Sequence, residues 1–375
     1  MFTRDKTRPV KIGKITIGAG NPIRVQSMTQ TKTSDVEATV KQIADLEKVG
    51  CEIIRVTVPD MESARALGAI KKQINIPLVV DIHFQYQLAL EAIKQGVDKV
   101  RINPGNIGAV DRVKEIVIAC KRKNIPIRIG VNMGSLEKDL YAKYGKYGVP
   151  RVMMESATRH VQILASLKFY NVVVSLKGSD NVLTRQAYVL FAKRFNYPLH
   201  VGITEAGTLW AGTVKSAVGI GSILSEGIGD TIRVSIADDP REQVKVGWEI
   251  LKSLGLRQKG VEIIACPTCG RTEIDLIGLA KQVESVVSEL DAPIKVAVMG
   301  CVVNGPGEAS FADIGVCGGR SQGAIFKQGK LVKTLKEEEL LPVFIEEIKQ
   351  VLIEKGYKGE IKKLHYDKAE LAALA

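Results

Sequence analysis

Aromatic residues are scarce in this chain, 5% of 375, and nowhere do they interleave with a stripe of lysine and arginine. A surface that grips nucleic acid combines those two features, so nucleic acid is not the expected partner despite a formal net charge of +12. No run approaches the roughly 20 apolar residues of a membrane span. The polar start Met-Phe-Thr-Arg-Asp-Lys also lacks the apolar core of a signal peptide. The expectation is a cytoplasmic protein with no membrane partner. No G-x-G-x-x-G follows the first strand pattern, which removes the best marker of a dinucleotide-binding sheet. What remains is an ordinary globular composition, 45% hydrophobic and 25% charged, in a chain long enough for two domains.

Strand and helix patterns alternate along the first two thirds. A short piece, Val10 to Ile17, reads as a hairpin lid. Strands are then expected at Ile23–Ser27, Glu52–Val58, Leu78–His83, Lys99–Asn103, Ile127–Val131, Val172–Lys177, Leu199–Ile203 and Thr231–Ile236. Helical periodicity fills the gaps at Asp35–Val49, Ser63–Gln73, Arg112–Lys123 and Asn181–Arg194. Strand followed by helix, repeated about eight times, is the requirement of a (β/α)8 TIM barrel. The segment Ser253–Gly260 has linker character, which gives a barrel over 1–256 and a second domain over 257–375. That domain reads as a small α+β module: a strand into Cys266, a helix Thr272–Leu290, a strand Ile294–Met299, a hairpin from Phe311 to Leu335 and a helix Lys336–Lys355. The tail Lys362–Ala375 reads as surface helix or frayed chain.

Barrel enzymes carry their sites at the C-terminal ends of the strands, and those ends are polar here. Arg55, Arg101, Arg128, Lys177 and Arg233 come from five different strands, joined by Asp81, His83, Asn132, His200, Glu205 and Ser235. No comparable set of carboxylates is available to neutralise the cations, so the missing negative charge belongs to the substrate. Arginine forks match phosphate oxygens bidentately and lysine adds a point charge, which makes a diphosphate the natural guest. Asp81 and His83 share one side of their strand and form either a pocket wall or a catalytic pair. Glu205, in Gly202-Ile-Thr-Glu-Ala-Gly207, is suited to proton transfer. The stretch Gly212-Thr-Val-Lys215-Ser216, followed by Gly219 and Gly221, suggests a helix N-terminus aimed at phosphate.

Of six cysteines, Cys51 and Cys120 lie in apolar contexts and read as packing. The others lie in Ala265-Cys-Pro-Thr-Cys269-Gly, Gly300-Cys301-Val-Val-Asn-Gly-Pro-Gly-Glu308 and Ile314-Gly-Val-Cys317. A C-x-x-C pair with a third thiol at a later glycine-rich turn suits zinc or an iron–sulfur cluster. Spacing leaves the fourth ligand open between Glu308 and Cys317. It also leaves open a structural zinc knuckle or a dithiol pair. On the zinc alternative the chain is a non-redox phosphate-binding barrel enzyme.

A family resemblance enters on long motifs: Arg101-Ile-Asn-Pro-Gly-Asn-Ile-Gly108, Ile127-Arg-Ile-Gly-Val-Asn132, Gly202–Gly207, Leu224-Ser-Glu-Gly-Ile-Gly-Asp230, Ala265–Cys269 and Gly300–Glu308. Together they resemble the bacterial 4-hydroxy-3-methylbut-2-enyl diphosphate synthases, from about Val10 to the end of the second domain. The resemblance implies a TIM barrel joined to a 4Fe–4S domain of the ferredoxin-dependent sulfite/nitrite reductase kind. It implies reductive ring opening of 2-C-methyl-D-erythritol 2,4-cyclodiphosphate in isoprenoid biosynthesis, with flavodoxin or ferredoxin as electron donor. Carried over by position, Cys266, Cys269, Cys301 and Glu308 become the cluster ligands, and Cys317 matches no ligand motif. Arg55, Arg101, Arg128, Lys177, Arg233 and Ser235 hold the diphosphate, with Asn132 and His200 nearby, and Glu205 is the acid/base carboxylate. The resemblance further implies a homodimer in which each barrel is capped by the partner's cluster domain.

Overall fold

The structure, a computed structural model, describes residues 2–359 apart from 104–106, 108, 109, 146, 147, 289, 302 and 304. The expected tail Lys362–Ala375 lies outside the described residues. The chain divides into two compact units, Met1–Arg257 and Gln258–Ala375.

The first unit begins with an antiparallel hairpin, β1 (Val10–Ile12) and β2 (Ile15–Ile17). Eight parallel strands follow: β3 (Arg24–Met28), β4 (Ile53–Thr57), β5 (Leu78–Asp81), β6 (Lys99–Ile102), β7 (Ile127–Asn132), β8 (Val172–Lys177), β9 (His200–Val201) and β10 (Thr231–Ile232). Their order is β8-β7-β6-β5-β4-β3-β10-β9, and a parallel bridge from Val174 to Leu199 joins the two ends. The sheet therefore closes into the expected (β/α)8 barrel, each strand being followed by a helix before the next. Four of these helices start from an aspartate N-cap whose carboxylate accepts an early backbone N–H: Asp35, Asp60, Asp180 and Asp239. Each such cap contributes about 1 kcal/mol. Their apolar faces bury against the outward-facing residues of the strands, such as Ile54, Val80, Val100 and Ile129.

The hairpin is not a lid on the active mouth. Val10, Ile12 and Ile17 pack on Ile53, Val79 and Val173, which lie at the starts of β4, β5 and β8. It plugs the N-terminal end of the barrel, opposite the end where barrel chemistry occurs. The last two strands are also shorter than the sequence pattern suggests. Gly202 and Arg233 follow them as irregular chain, even though the Arg233 amide still donates to the Val201 carbonyl at 2.9 Å. The glycine-rich stretch around Gly212 lies inside the helix Leu209–Leu224 rather than before it, so it presents no N-terminus of its own.

The second unit is a five-stranded sheet in the order β11-β12-β13-β14-β15. Its strands are β11 (Glu262–Ala265), β12 (Lys295–Met299), β13 (Ile314–Gly319), β14 (Gln322–Lys327) and β15 (Lys330–Lys336). The first three are parallel and the last two antiparallel. The single hairpin expected from Phe311 to Leu335 is thus a three-strand meander. Helices Leu276–Val287 and Glu337–Glu354 bury Leu279, Val283, Phe344 and Ile348 in a core separate from that of the barrel.

Candidate active site in the barrel and candidate metal edge in the second unit

Strand register decides which side chains face the barrel interior. Met28, Arg55, Val79 and Lys99 are successive partners across β3 to β6, and Thr57, Asp81, Arg101, Arg128 and Val173 across β4 to β8. Val79 and Val173 touch the hairpin plug, so both rows point inward. The expected cations accordingly share one cavity. Arg55, Arg101, Arg128 and Lys177 are each buried to less than a tenth exposure, and Arg233 is half-buried.

Among the described residues, the carboxylate buried with these charges is Asp81. It accepts from Arg101 Nη1 at 2.8 Å and lies 3.6 Å from Arg55 Nε. Burial pushes its carboxyl up, but Arg55, Arg101 and Arg128 outweigh that and hold it well below the usual range. Asp81 is therefore a charge anchor rather than a proton carrier, and His83, half-exposed with Nε2 at 3.8 Å, lies at its edge. One carboxylate cannot balance five cations. Arg128 Nε and Nη1 are buried with no hydrogen-bond partner, as is Arg233 Nε. Burial, then the neighbouring arginines, lowers the Arg128 guanidinium well below its ordinary range. Burial followed by Arg128, Arg55, Arg233 and Arg101 does the same to the Lys177 amine. Arg233 is lowered to about 9, by burial and then Arg55. Unpaired buried charge is costly, and a multiply charged anion would relieve every one of these groups at once.

Two glycines make this crowding possible. A Cβ at Gly130 would lie 2.4 Å from Arg101 Nε, and one at Gly202 2.8 Å from Lys177 Nζ and 2.6 Å from the Arg233 carbonyl. Both stand at inward positions where any side chain would displace a cation. Sequence reasoning passed over them, although each sits in a motif already singled out. It also passed over Lys99, fully buried at the start of β6 with Nζ unpartnered.

Asn132, the last residue of β7, is half-buried and in register with Lys177, and Ser235 is half-buried after β10. His200 is not at the C-terminal end of its strand. It opens β9 fully buried, with Nδ1 2.8 Å from Thr231 Oγ1 and Nε2 unpartnered. Burial and the surrounding Arg128, Lys177, Lys99 and Arg55 keep its imidazole neutral. Tyr188 donates to the His200 carbonyl at 2.6 Å and fixes that strand from outside. Glu205 lies exposed in the loop after β9 with φ of 53°, a left-handed backbone unusual for a non-glycine residue.

In the second unit, β11 and β12 are adjacent and parallel, so their C-terminal ends share one edge. Cys266 extends β11 by donating its amide to the Val298 carbonyl at 3.0 Å, and Cys301 follows β12 by two residues. The loop carrying Cys269 folds back through Thr272, and Glu273 N donates to the Gly300 carbonyl at 3.1 Å, which ties the chain after C-x-x-C to the turn before Cys301. Cys266 is half-buried, Cys269 exposed and Cys301 buried. Glu308 is exposed on the short helix Gly305–Ala309. Among the described residues, no three His, Cys, Asp or Glu side chains gather closely enough to hold a single ion. Cys317 lies inside β13 against Gly305, where burial and then Cys301 push its thiol up to about 12.

The first unit is thus a TIM barrel built to enclose a polyanion, followed along the chain by a unit with soft metal donors on one sheet edge. Residues 7–248 match the GcpE TIM-barrel domain and residues 262–350 match the GcpE protein C-terminal domain, and the chain belongs to the GcpE family. It is 56% identical over 350 residues to the 4-hydroxy-3-methylbut-2-en-1-yl diphosphate synthase (flavodoxin) of Thermodesulfovibrio yellowstonii, covering 93% of this chain and 100% of that one. It is 57% identical over 348 residues to the protein of the same name from Halalkalibacterium halodurans, covering 93% and 95%. Among solved structures, a dihydropteroate synthase from Stenotrophomonas maltophilia superposes with a TM-score of 0.49 at 11% identity, over 66% of this chain and 99% of that one.

Proposed function

We infer that the chain is a flavodoxin-dependent oxidoreductase that opens the ring of 2-C-methyl-D-erythritol 2,4-cyclodiphosphate and removes its hydroxyl, giving 4-hydroxy-3-methylbut-2-enyl diphosphate. The observation that carries this reading is the excess of buried cations over carboxylate inside the barrel, where Asp81 alone faces Arg55, Arg101, Arg128, Lys177 and Arg233. Such a cavity favours a dianion over any neutral sugar or monoanion. A non-redox phosphate enzyme with structural zinc would use the cations but leave the cysteine edge without a role in the chemistry.

The three thiols and Glu308 fit an iron–sulfur cluster by donor chemistry, and a multi-atom cluster reaches ligands that one ion does not. Cys266, Cys269, Cys301 and Glu308 would hold a 4Fe–4S cluster, which when bound would pass on, one at a time, the two electrons that reduced flavodoxin provides. Cys317, with its thiol pushed up to about 12, packs beneath that edge instead. Within the barrel, Arg55, Arg101, Arg128, Lys177, Arg233 and Ser235 hold the two phosphates, and Asn132 and His200 complete the wall. Neutral His200 offers Nε2 as a hydrogen-bonding atom without adding charge. Glu205 holds a proton for the oxygen that departs as water. A homodimer in which the partner's cluster unit meets this barrel brings the two halves of the chemistry together.

The test is the iron and sulfide content of anaerobically purified protein, together with turnover of the cyclodiphosphate with reduced flavodoxin. A brown protein with about four irons, retained in Cys317→Ala but labile in Glu308→Ala, is the expected outcome. Colourless protein with stoichiometric zinc, made with iron supplied and air excluded, would leave a non-redox barrel.

A further inference from the structure

Lys99 lies outside every role assigned so far, yet it is among the most completely buried polar residues of the barrel. It faces inward beside Val79, two residues before Arg101 on the same strand, and so one pleat deeper than the Arg101–Arg128 pair. Its Nζ has no hydrogen-bond partner. The charged and titratable groups that face it are Arg128 from β7, Arg55 from β4 and His200 from β9. Among the described residues, the carboxylate buried in this cavity, Asp81, pairs with Arg101 and Arg55 rather than with Lys99. An ammonium at this depth would stand against three neighbouring cationic or neutral nitrogen bases with nothing to balance it.

An amine so placed has two stable conditions. With no anion nearby, the fully buried Nζ has no hydrogen-bond partner to stabilise an ammonium, and burial followed by Arg128 and Arg55 disfavours the charged form. When a dianion sits against Arg128 and Arg55, the repulsion that kept the proton off is neutralised from above. We propose that Lys99 is the proton-coupled floor of the anion site: its amine takes one proton from solvent as the diphosphate enters, and the ammonium then supports the phosphate through Arg128. Lys99 is in these terms a positioning residue. It never touches the reacting carbon, and it sets how binding depends on pH. Because the bound state holds more protons than the free state, affinity falls as pH rises, by up to about tenfold per pH unit per proton taken up.

The inference rests on the reading of the barrel as a cyclodiphosphate site, and the experiment separates the two. The probe is 2-C-methyl-D-erythritol 2,4-cyclodiphosphate itself, with no reductant present. Its phosphates carry no titratable proton near neutral pH. Binding heats are measured at pH 8 in Tris and in HEPES, whose different ionisation enthalpies report the protons taken up. Lys177 and His200 also titrate in this cavity, so the decisive quantity is the difference between wild type and Lys99→Met. The expected result is that the variant takes up at least about half a proton fewer per ligand bound, binds roughly tenfold more weakly at pH 7, and shows a flatter dependence of affinity on pH. Lys99→Met removes an unpaired buried amine and should melt no lower than wild type, and Lys99→Gln should behave as Lys99→Met does. Equal proton uptake in wild type and variant, with ligand bound, would overturn the role of Lys99 and leave the site reading standing. No binding to wild type would overturn both.

Discussion

The barrel interior and the cysteine edge gather difficult groups in opposite ways. Inside the barrel, Arg55, Arg101, Arg128 and Lys177 are placed by strand register in a closed sheet. At the edge of the second unit, Cys266, Cys269 and Cys301 are carried by a loop and two strand ends. Register places the first set of side chains, whereas the second set depends on the path of a loop. Rigid strands hold charge that a loop would turn out to solvent. Thiols on loops can wait for a metal, because a protonated thiol bears no charge and costs little.

Thiol labelling gives the sharpest test of that contrast. In metal-free protein iodoacetamide should modify exposed Cys269 completely. Cys51 and Cys120, buried with thiols pushed up to about 12, should stay unmodified. After anaerobic reconstitution with iron and sulfide, Cys266, Cys269 and Cys301 should become protected together. Continued labelling of Cys269 in the iron-loaded protein would detach it from the set.

A matched pair of barrel variants tests the other side. Asp81→Asn removes the carboxylate buried against Arg101 and Arg55 and leaves these arginines uncompensated, a loss of roughly 3–5 kcal/mol, or on the order of 10 °C in melting temperature. Since its carboxyl is held below the ordinary 3.8, Asp81 stabilises fully above about that pH, and its contribution drains as the pH falls below it. Arg128→Met should do the reverse. It removes an unpaired buried cation, so the melting temperature holds or rises, while affinity for the cyclodiphosphate drops by roughly 100-fold. If Arg128→Met lowered the melting temperature as Asp81→Asn does, the cations would be structural partners of Asp81 rather than a site awaiting an anion.

Much of the barrel was legible because its periodicity is strong: β8 and the helix Asn181–Arg194 fall where the pattern puts them. The cations were legible because a barrel strand that ends in arginine has only the mouth to point into. Three things were hidden. The hairpin's position at the far end depends on Ile53, Val79 and Val173, contacts no local pattern encodes. His200 was grouped with the polar strand ends, whereas it opens β9, a strand of only two residues. Lys99 was passed over because a lysine at a strand start ordinarily faces water, yet its spacing of two from Arg101 put both on one face. The C-x-x-C pair pointed to soft metal or redox chemistry without choosing between zinc, an iron–sulfur cluster and a dithiol pair, and because loops carry no register the arrangement of its ligands stayed out of reach of pattern reasoning.

Glu205 stands between the two regimes, a side chain on a loop of the otherwise strand-built site. Its left-handed backbone costs a non-glycine residue about 1–2 kcal/mol, and strain of this kind persists where a site needs a side chain in that place. Glycine would adopt the same φ freely but lose more chain entropy on folding, about 0.5–1 kcal/mol. The net effect of Glu205→Gly should therefore be a slight stabilisation, no more than about 1 kcal/mol. Turnover should collapse in the same protein while affinity for the cyclodiphosphate, set by the strand-borne cations, stays close to wild type. Glu205→Gln, which keeps the backbone strain and loses only the proton, should match Glu205→Gly in turnover without the gain in stability. A Gln variant with near-normal turnover would mean the carboxyl is not the proton donor, and the strain at 205 would then serve the shape of the loop alone.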